Sequence, residues 1–336
     1  MEKTLDSIIL DDDLGGQLER RRFLTLMHET FEQLVPLARQ IERTDSANAL
    51  ALLDLYLPSV GSLFDVVIRF PQPPFQSLCD LLKQLNKYLN TRGLYREQVE
   101  WAQSLLSYFL EHERETGDKI DLVILNTIAS GFDALGEHED ALDIYDFIID
   151  LYADDPAHPG LAVICFNAAV THHRVGNIEQ ALALCQRSIA IDEQHGNPRG
   201  IATSLLLLSD LLHAQGNIEG IFQALKRATE LIEPLDNRYL HAQITAKTAL
   251  HTARYHDWER AAGLFKAAVA MWRDIGDEEQ LAGTLFNYAV LLQETGNSAE
   301  AHTCAQESLT LLEKYNLFHA ETVRAAIEEW KSIGFD

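Results

Sequence analysis

The polar side chains with the clearest chemical use in this sequence are amides and charged groups suited to recognising a peptide. An Asn amide offers both a donor and an acceptor to a peptide backbone, so it can bind a chain without demanding a particular side chain. Arg and Lys can meet a carboxylate through charge-assisted hydrogen bonds. The set consists of Asn126, Asn167, Arg174, Asp210, Lys247, Arg254 and Asn287. We predict that it binds a protein or peptide segment that is acidic or presents a C-terminal carboxylate.

The alternative interpretation of the same residues is structural. The Asn side chains could bond neighbouring helices, and the charges could pair within the chain on a partly solvated face. The sequence leaves both interpretations open.

Catalytic and metal-binding patterns are absent from the sequence. The closest approach is His172-His173 and the pair His251 and His256, and neither forms the H-E-x-x-H pattern of a zinc site. The sequence also has no G-x-S-x-G motif and no Gly-rich phosphate loop. We therefore expect a non-enzyme that needs no cofactor and no metal.

A short sequence motif recurs five times at intervals of 40 residues. The elements around this motif must position the polar residues. The motif begins at positions 136, 176, 216, 256 and 296, with Gly first in every copy except the one at His256. Gly suits a helix C-terminus because it adopts positive φ without steric conflict. A small residue precedes each turn by seven positions, and four of the five turns have Ala five positions after their start. The two series are Ala129, Ala169, Ser209, Ala249 and Ala289, and Ala141, Ala181, Ile221, Ala261 and Ala301.

This pattern of a small residue, a Gly turn and an Ala resembles the tetratricopeptide repeat. The 40-residue period is similar to the long-helix variety found in kinesin light chain, LGN and many bacterial regulators. The resemblance implies an all-α fold, in which helix-turn-helix repeats stack as a right-handed superhelical solenoid. It also implies a protein-binding scaffold or adaptor, and we place its role in bacterial signalling or complex assembly.

The sequence outside the regular repeats divides into distinct segments. Residues 1–16 are expected to be a flexible acidic tail, and residues 17–74 an N-terminal helical region interrupted by prolines. Residues 75–118 read as an irregular first repeat, residues 119–316 as five regular repeats, and residues 317–336 as a capping helix. One hypothesis places the acidic tail in the binding groove of the same chain.

The turns also assign a face to the first helix of each repeat, called helix A. Positions six before, two before, one after and five after the small residue cluster roughly 130° away from it, at about 100° per residue. We expect that line to border the concave groove, with Asn126 on its rim. Including the irregular repeat, its cations are Lys87, Arg174, Lys247 and Arg254, against Asp80, Asp210 and Glu294.

The net charge of −24 limits the partners. A surface that neutralises phosphates needs clustered Lys and Arg, and this chain offers only Arg20-Arg21-Arg22 beside Glu19. Nucleic acid and membranes are therefore not expected as partners. The four cysteines form no C-x-x-C pair, and no secretory signal opens the sequence, which together favour a cytoplasmic protein.

Two alternative functions remain open at this stage. The layout of a helical region followed by repeats resembles the peptide-regulated Rap-type response-regulator phosphatases, with Gln33 in place of their water-positioning Gln. That match is one of architecture alone. The other alternative is a structural protein that self-assembles as a homo-oligomer.

Overall fold

The computed structural model describes residues 54–55, 75–116, 122–314 and 320–332. The predicted tail, Gln33 and nearly all of the N-terminal region 17–74 lie outside these ranges. The described part of the chain is helical and contains no strand. It divides into two compact units, Met1–Glu137 and His138–Asp336. The all-α class predicted from the sequence is confirmed.

The first unit contains three described helices that pack in sequence order. They are α1 (Phe75–Arg92), α2 (Tyr95–Thr116) and α3 (Leu122–Leu135). Gly93 joins α1 to α2 with φ of +67°. Asp54 is held against α1, where it accepts hydrogen bonds from the Tyr88 hydroxyl at 2.8 Å and from the Arg92 guanidinium at 2.6 Å. Burial, and secondarily the bond to Asp54, raise the pKa of Tyr88.

The second unit is a stack of helical hairpins closed by a final helix. Its helices are α4 (His138–Leu151), α5 (Gly160–Arg174), α6 (Ile178–Gln194), α7 (Pro198–Ala214), α8 (Ile218–Ile232), α9 (Arg238–Arg254), α10 (Trp258–Ile275), α11 (Glu278–Glu294), α12 (Ser298–Lys314) and α13 (Ala320–Ser332). Each packs against the next in sequence, and α5, α7, α9 and α11 also pack against one another in order. These four are the A helices of the stack, and their partners α6, α8, α10 and α12 are the B helices.

The predicted turns have the predicted backbone. Four of the five begin with a Gly at φ between +72° and +85°, and His256 takes the same left-handed conformation at +62°. In each turn two backbone N–H groups bond back to the helix that has just ended. The Asn177 N–H, for example, reaches the His172 carbonyl at 2.8 Å, and the Asp257 N–H reaches Thr252 at 3.2 Å. This pattern satisfies carbonyls that the end of a helix would otherwise leave without donors.

The small residues on either side of the turns are buried without exception. All ten residues of the two series have no solvent exposure. In the stack, Ala169 of α5 and Ala181 of α6 belong to one apolar cluster, as do Ala249 of α9 and Ala261 of α10. Nine of the ten are Ala or Ser, which let the two helices approach closely, and Ile221 of α8 is the one large residue among them.

One junction in the stack departs from the regular pattern. Helix α8 ends at Ile232, and Pro234 lies in a short 3₁₀ turn that follows, Glu233–Leu235. Pro cannot donate the next helical hydrogen bond, so the helix stops early. A cavity of about 310 Å³ opens beside the junction, lined in part by Ile232, Met271 and Ile275.

We expect His256→Gly to stabilise the protein. A non-Gly residue in the left-handed region carries a penalty of roughly 1–2 kcal/mol, and removing the imidazole also loses its edge contact with Trp258. The expected net gain is about 0.5–1 kcal/mol in the free energy of unfolding, measured by urea denaturation. The reciprocal change Gly216→His, at φ +72°, should lose about the same. Equal stability of both variants and the wild type would contradict the strain argument.

Gly131 in α3 gives a second prediction, for the first unit. A Cβ there would stand 2.4 Å from Cγ2 of Val99 in α2, a stiff β-branched side chain. We expect Gly131→Ala to lose about 1–3 kcal/mol by overpacking, although Gly→Ala within a helix usually stabilises. Gly263→Ala in α10, where nothing lies within 4 Å, is the control and should be neutral or stabilising. Val99→Ala should rescue Gly131→Ala in a double-mutant cycle.

Candidate functional site

The A helices of the second unit present a continuous row of accessible positions. We call the A-helix face the residues of α5, α7, α9 and α11 at the four counted positions around each buried small residue. Leu207 is buried, and the other positions of this face are half-buried or exposed. The buried small residues point into the hairpin, so the A-helix face points away from it.

The predicted site residues occupy this face in different ways. Asn167 is half-buried on α5, and Asn287 is exposed on α11. Arg174 and Arg254 are the last residues of α5 and α9, and both are exposed. Asn126 is half-buried on α3, which belongs to the first unit.

Asp210 and Lys247 are the two predicted site residues that the structure brings into contact. Lys247 Nζ of α9 lies 2.7 Å from Asp210 Oδ2 of α7, and both side chains are about a quarter exposed. His251 Nε2 approaches the other carboxylate oxygen of Asp210 at 3.3 Å. Asp210 and Lys247 therefore bond each other across neighbouring A helices, as the structural interpretation allowed.

The protonation of Asp210 reflects this environment. Burial raises the pKa of its carboxyl, but the His251 hydrogen bond and the Lys247 ammonium together outweigh burial and bring the pKa to about 2. Asp210 is thus ionised at neutral pH, and its charge and that of Lys247 compensate each other. Arg254, by contrast, has no ion-pair partner among the described residues.

His251 is a member of this network that the sequence analysis did not select. It has no exposure, and its Nε2 also lies 3.3 Å from the Ser209 hydroxyl. His213 stands beside it, with ring centroids 5.6 Å apart, and bonds the Tyr255 hydroxyl at 2.9 Å. Burial, helped by nearby Arg254, lowers the pKa of His213. The sequence signal was a His at a buried position that the other A helices fill with Thr171, Leu211 and Leu291.

Ser209, His251 and Asp210 have the composition of a hydrolase triad but not its geometry. Ser209 and Asp210 both approach the same nitrogen of His251, whereas a proton relay needs one partner on each ring nitrogen. Ser209 is also fully buried, so no substrate can reach its hydroxyl. The arrangement therefore ties α7 to α9.

The cysteine thiols in the described ranges are not activated as nucleophiles. Burial raises the thiol pKa of Cys165, of Cys304 and of Cys185, the last to about 12. In the same ranges no group of three or more His, Cys, Asp or Glu is placed to hold a metal ion. No described helix has both the length and the hydropathy needed to cross a bilayer.

Comparison with known families agrees with this geometry. The tetratricopeptide repeat model matches residues 120–194 and, in an overlapping match, residues 166–233. Residues 120–233 carry tetratricopeptide repeats. The helices α3 to α8 lie within or across the matched region, and the same hairpin pattern continues through α12.

Solved structures with tetratricopeptide-like folds resemble the chain at low sequence identity. The apo form of RapI is 12% identical with a TM-score of 0.59, covering 85% of this chain and 99% of RapI. The thermophilic tetratricopeptide repeat protein TTC0263 from Thermus thermophilus is 18% identical with a TM-score of 0.47, covering 62% and 98%. BtubC from P. vanneervenii is 16% identical with a TM-score of 0.47, covering 79% and 94%. No curated protein matches the chain.

The ion pair at Asp210 predicts a specific loss of stability in acid. The folded pKa of about 2 lies below the ordinary 3.8, so the stabilisation is complete above pH 3.8 and disappears as the pH falls towards 2. The shift corresponds to about 2 kcal/mol. Asp210→Asn should remove this component from the dependence of unfolding free energy on pH.

Asp143→Asn is the matched control for this measurement, because Asp143 is exposed and has no ion pair in the described part of the chain. The wild-type and Asp143→Asn curves should stay parallel between pH 5 and pH 2. The Asp210→Asn curve should converge on them as the pH falls. A constant offset for Asp210→Asn would show that the pair does not set this dependence.

Proposed function

We propose that the A-helix face of the second unit binds an extended segment of a partner protein, and that the chain acts as a non-catalytic scaffold or adaptor. The carrying observation is the contrast between the two cations of α9. Lys247 is compensated by Asp210, whereas Arg254 is exposed and has no ion pair within the described ranges. Arg254 is therefore available to a carboxylate on a partner.

The amides support the same proposal. Asn167 and Asn287 occupy equivalent positions of α5 and α11, and they stand on either side of the Asp210–Lys247 pair along the row of A helices. An amide can bond backbone groups of an extended peptide on both sides of the braced centre. The ligand class that fits is an acidic segment or a free C-terminus. We place this binding in bacterial signalling or complex assembly, in the cytoplasm.

A second candidate function comes from the structural likeness to RapI. Its likeness extends over 85% of this chain, more than the regular repeats account for. A peptide-regulated phosphatase or sensor of the Rap type would use the same face for its peptide and residues 17–74 for a second protein. At 12% identity the likeness establishes the fold alone.

The test uses a displayed library of ten-residue peptides with free C-termini, selected on the full chain. We expect the selected peptides to be rich in Asp and Glu. The double charge reversal Arg174→Glu with Arg254→Glu should weaken the binding of the selected peptides by about tenfold or more. Charge-assisted hydrogen bonds contribute roughly 1.5–3 kcal/mol each. Lys247 is left unchanged, because its loss would break the pair with Asp210.

The matched control is Lys226→Glu with Lys331→Glu, which makes the same charge change at exposed sites on α8 and α13. It should change affinity by less than about threefold, through long-range screened interactions alone. Circular dichroism checks the fold, and sedimentation checks that no variant changes its oligomeric state. Equal losses in both double variants, or none in either, would rule out the A-helix face as the binding site.

A further inference from the structure

The cavity of about 310 Å³ beside the end of α8 combines an apolar floor with an acidic mouth. The floor is Ile232 of α8 with Met271 and Ile275 of α10, of which Ile232 is buried and the other two are half-buried. The mouth is formed by Glu233 and Asp236, which also line the cavity and are exposed to solvent. Small-molecule sites in proteins have volumes of about 300–1,000 Å³, and this cavity is at the lower end of that range.

The two carboxylates of the mouth have no ion-pair partner in the part of the chain that the structure describes. Arg238 of α9 lines the cavity as well, but its guanidinium pairs with Asp274 of α10. The cations in the second halves of α8 and α10 are also paired with other acids: Lys226 with Glu230, Arg227 with Glu193 and Arg273 with Glu307. Two negative charges are therefore left uncompensated at the mouth.

The ends of three helices add to the negative potential of the cavity. Helix α8 ends at Ile232 and α10 at Ile275, so two helix C-termini meet there against one N-terminus, that of α9 at Arg238. A helix C-terminus carries about half a negative charge and an N-terminus about half a positive one. The N-terminus of α9 is also capped within the chain, because the Asn237 side chain accepts the Leu240 N–H at 3.1 Å. The cavity thus favours a cation over an anion.

Asp236 stands at a backbone position that both neighbouring junctions give to Gly. Its φ is +47°, and the residues 40 positions away on either side, Gly196 and Gly276, have φ of +62° and +81°. This left-handed region is unfavourable for most L-residues, although Asp tolerates it better than others. Gly satisfies the turn at both neighbours, so the backbone of the turn does not account for a carboxylate here.

We propose that this cavity binds a linear aliphatic ammonium compound, with its alkyl chain on the floor and its ammonium groups at Glu233 and Asp236. The alkyl chain would cover apolar surface that water otherwise contacts, and ammonium groups donate charge-assisted hydrogen bonds to carboxylates. Two carboxylates favour a ligand with two ammonium groups, so a free polyamine suits the cavity better than the lysine side chain of a partner. The site is separate from the A-helix face, since no residue of that face lines the cavity.

The probe is 1,5-diaminopentane, titrated into the full chain by isothermal titration calorimetry at pH 8 and low salt. At this pH an alkylammonium group is charged and an ordinary imidazole is neutral, so a charge on His241 of the lining does not oppose binding. We expect 1-aminopentane to bind at least about tenfold more tightly than ethylamine, since each methylene that the floor buries contributes roughly fourfold. The diamine should bind about two- to fivefold more tightly than 1-aminopentane, through a second exposed charge pair.

Variants of the mouth and of the floor test the two halves of the proposal. Glu233→Gln with Asp236→Asn should weaken the diamine by about tenfold, since each exposed charge pair contributes about two- to fivefold. The control is Asp154→Asn with Asp155→Asn, which removes the same charge from exposed positions between α4 and α5. It should change the affinity by less than about twofold, through screened long-range interactions. Met271→Gln should reduce the preference for 1-aminopentane over ethylamine.

Asp236→Gly separates binding from folding. Because Gly is the residue of both neighbouring junctions, the free energy of unfolding should be unchanged or higher, as urea denaturation would show. The affinity for the diamine should nevertheless fall by about two- to fivefold. A loss of stability together with unchanged affinity would assign a structural role to Asp236 and count against the proposal.

Three further results would overturn the proposal. Equal losses in the mouth and control double variants, or equal binding of 1-aminopentane and ethylamine, would mean diffuse attraction to an acidic chain. Tighter binding of inorganic phosphate than of the diamine would mean an anion site at the α9 N-terminus. The capped peptide acetyl-Gly-Lys-Gly-amide identifies the source of the ammonium group. If this peptide bound more tightly than the diamine, and the mouth variant weakened it, the site would be upheld as one for a lysine side chain of a partner.

Discussion

The close approach of two helices across each hairpin is the constraint on which the rest of the stack depends. It requires a residue with almost no side chain at the crossing and a left-handed residue at the turn. The structure meets the first requirement with side chains that are wholly buried, and the second with positive φ at every copy. Once both are met, the faces that point into the hairpin and away from it follow from helical geometry.

Because one face of each A helix packs inside its hairpin, the opposite face is left accessible. The contact between Asp210 and Lys247 shows how neighbouring A helices bond each other across this face. The same contact compensates two charges in the middle of the surface, so the binding that we propose relies on groups at its margins. His251 is buried behind this contact, where its Nε2 lies within reach of Ser209 and Asp210 and its Nδ1 has no hydrogen-bond partner in the described ranges.

The fold was predictable from the sequence because its determinants are local. Each repeat is identified within about a dozen residues. The determinants are the left-handed residue of the turn, the small residue seven positions before it, and Ala141 or its equivalent five positions after it. The pairing of Asp210 with Lys247 spans 37 positions and depends on which rotamers meet between two helices, so spacing alone left it open. His251 was missed for a related reason, because its role becomes visible only when Ser209 and Asp210 are both placed around it. The role of the seven predicted site residues in binding stays a prediction.

The junction at Pro234 has a mechanical meaning for the stack. Each apolar cluster joins only helices that follow one another closely along the chain, so force and disorder pass from one hairpin to the next in series. The compliances of elastic elements in series add, so the softest element contributes most of the bending. The early end of α8 and the cavity beside it mark this junction as the joint where we expect bending of the array to concentrate, while the hairpins on either side move as blocks.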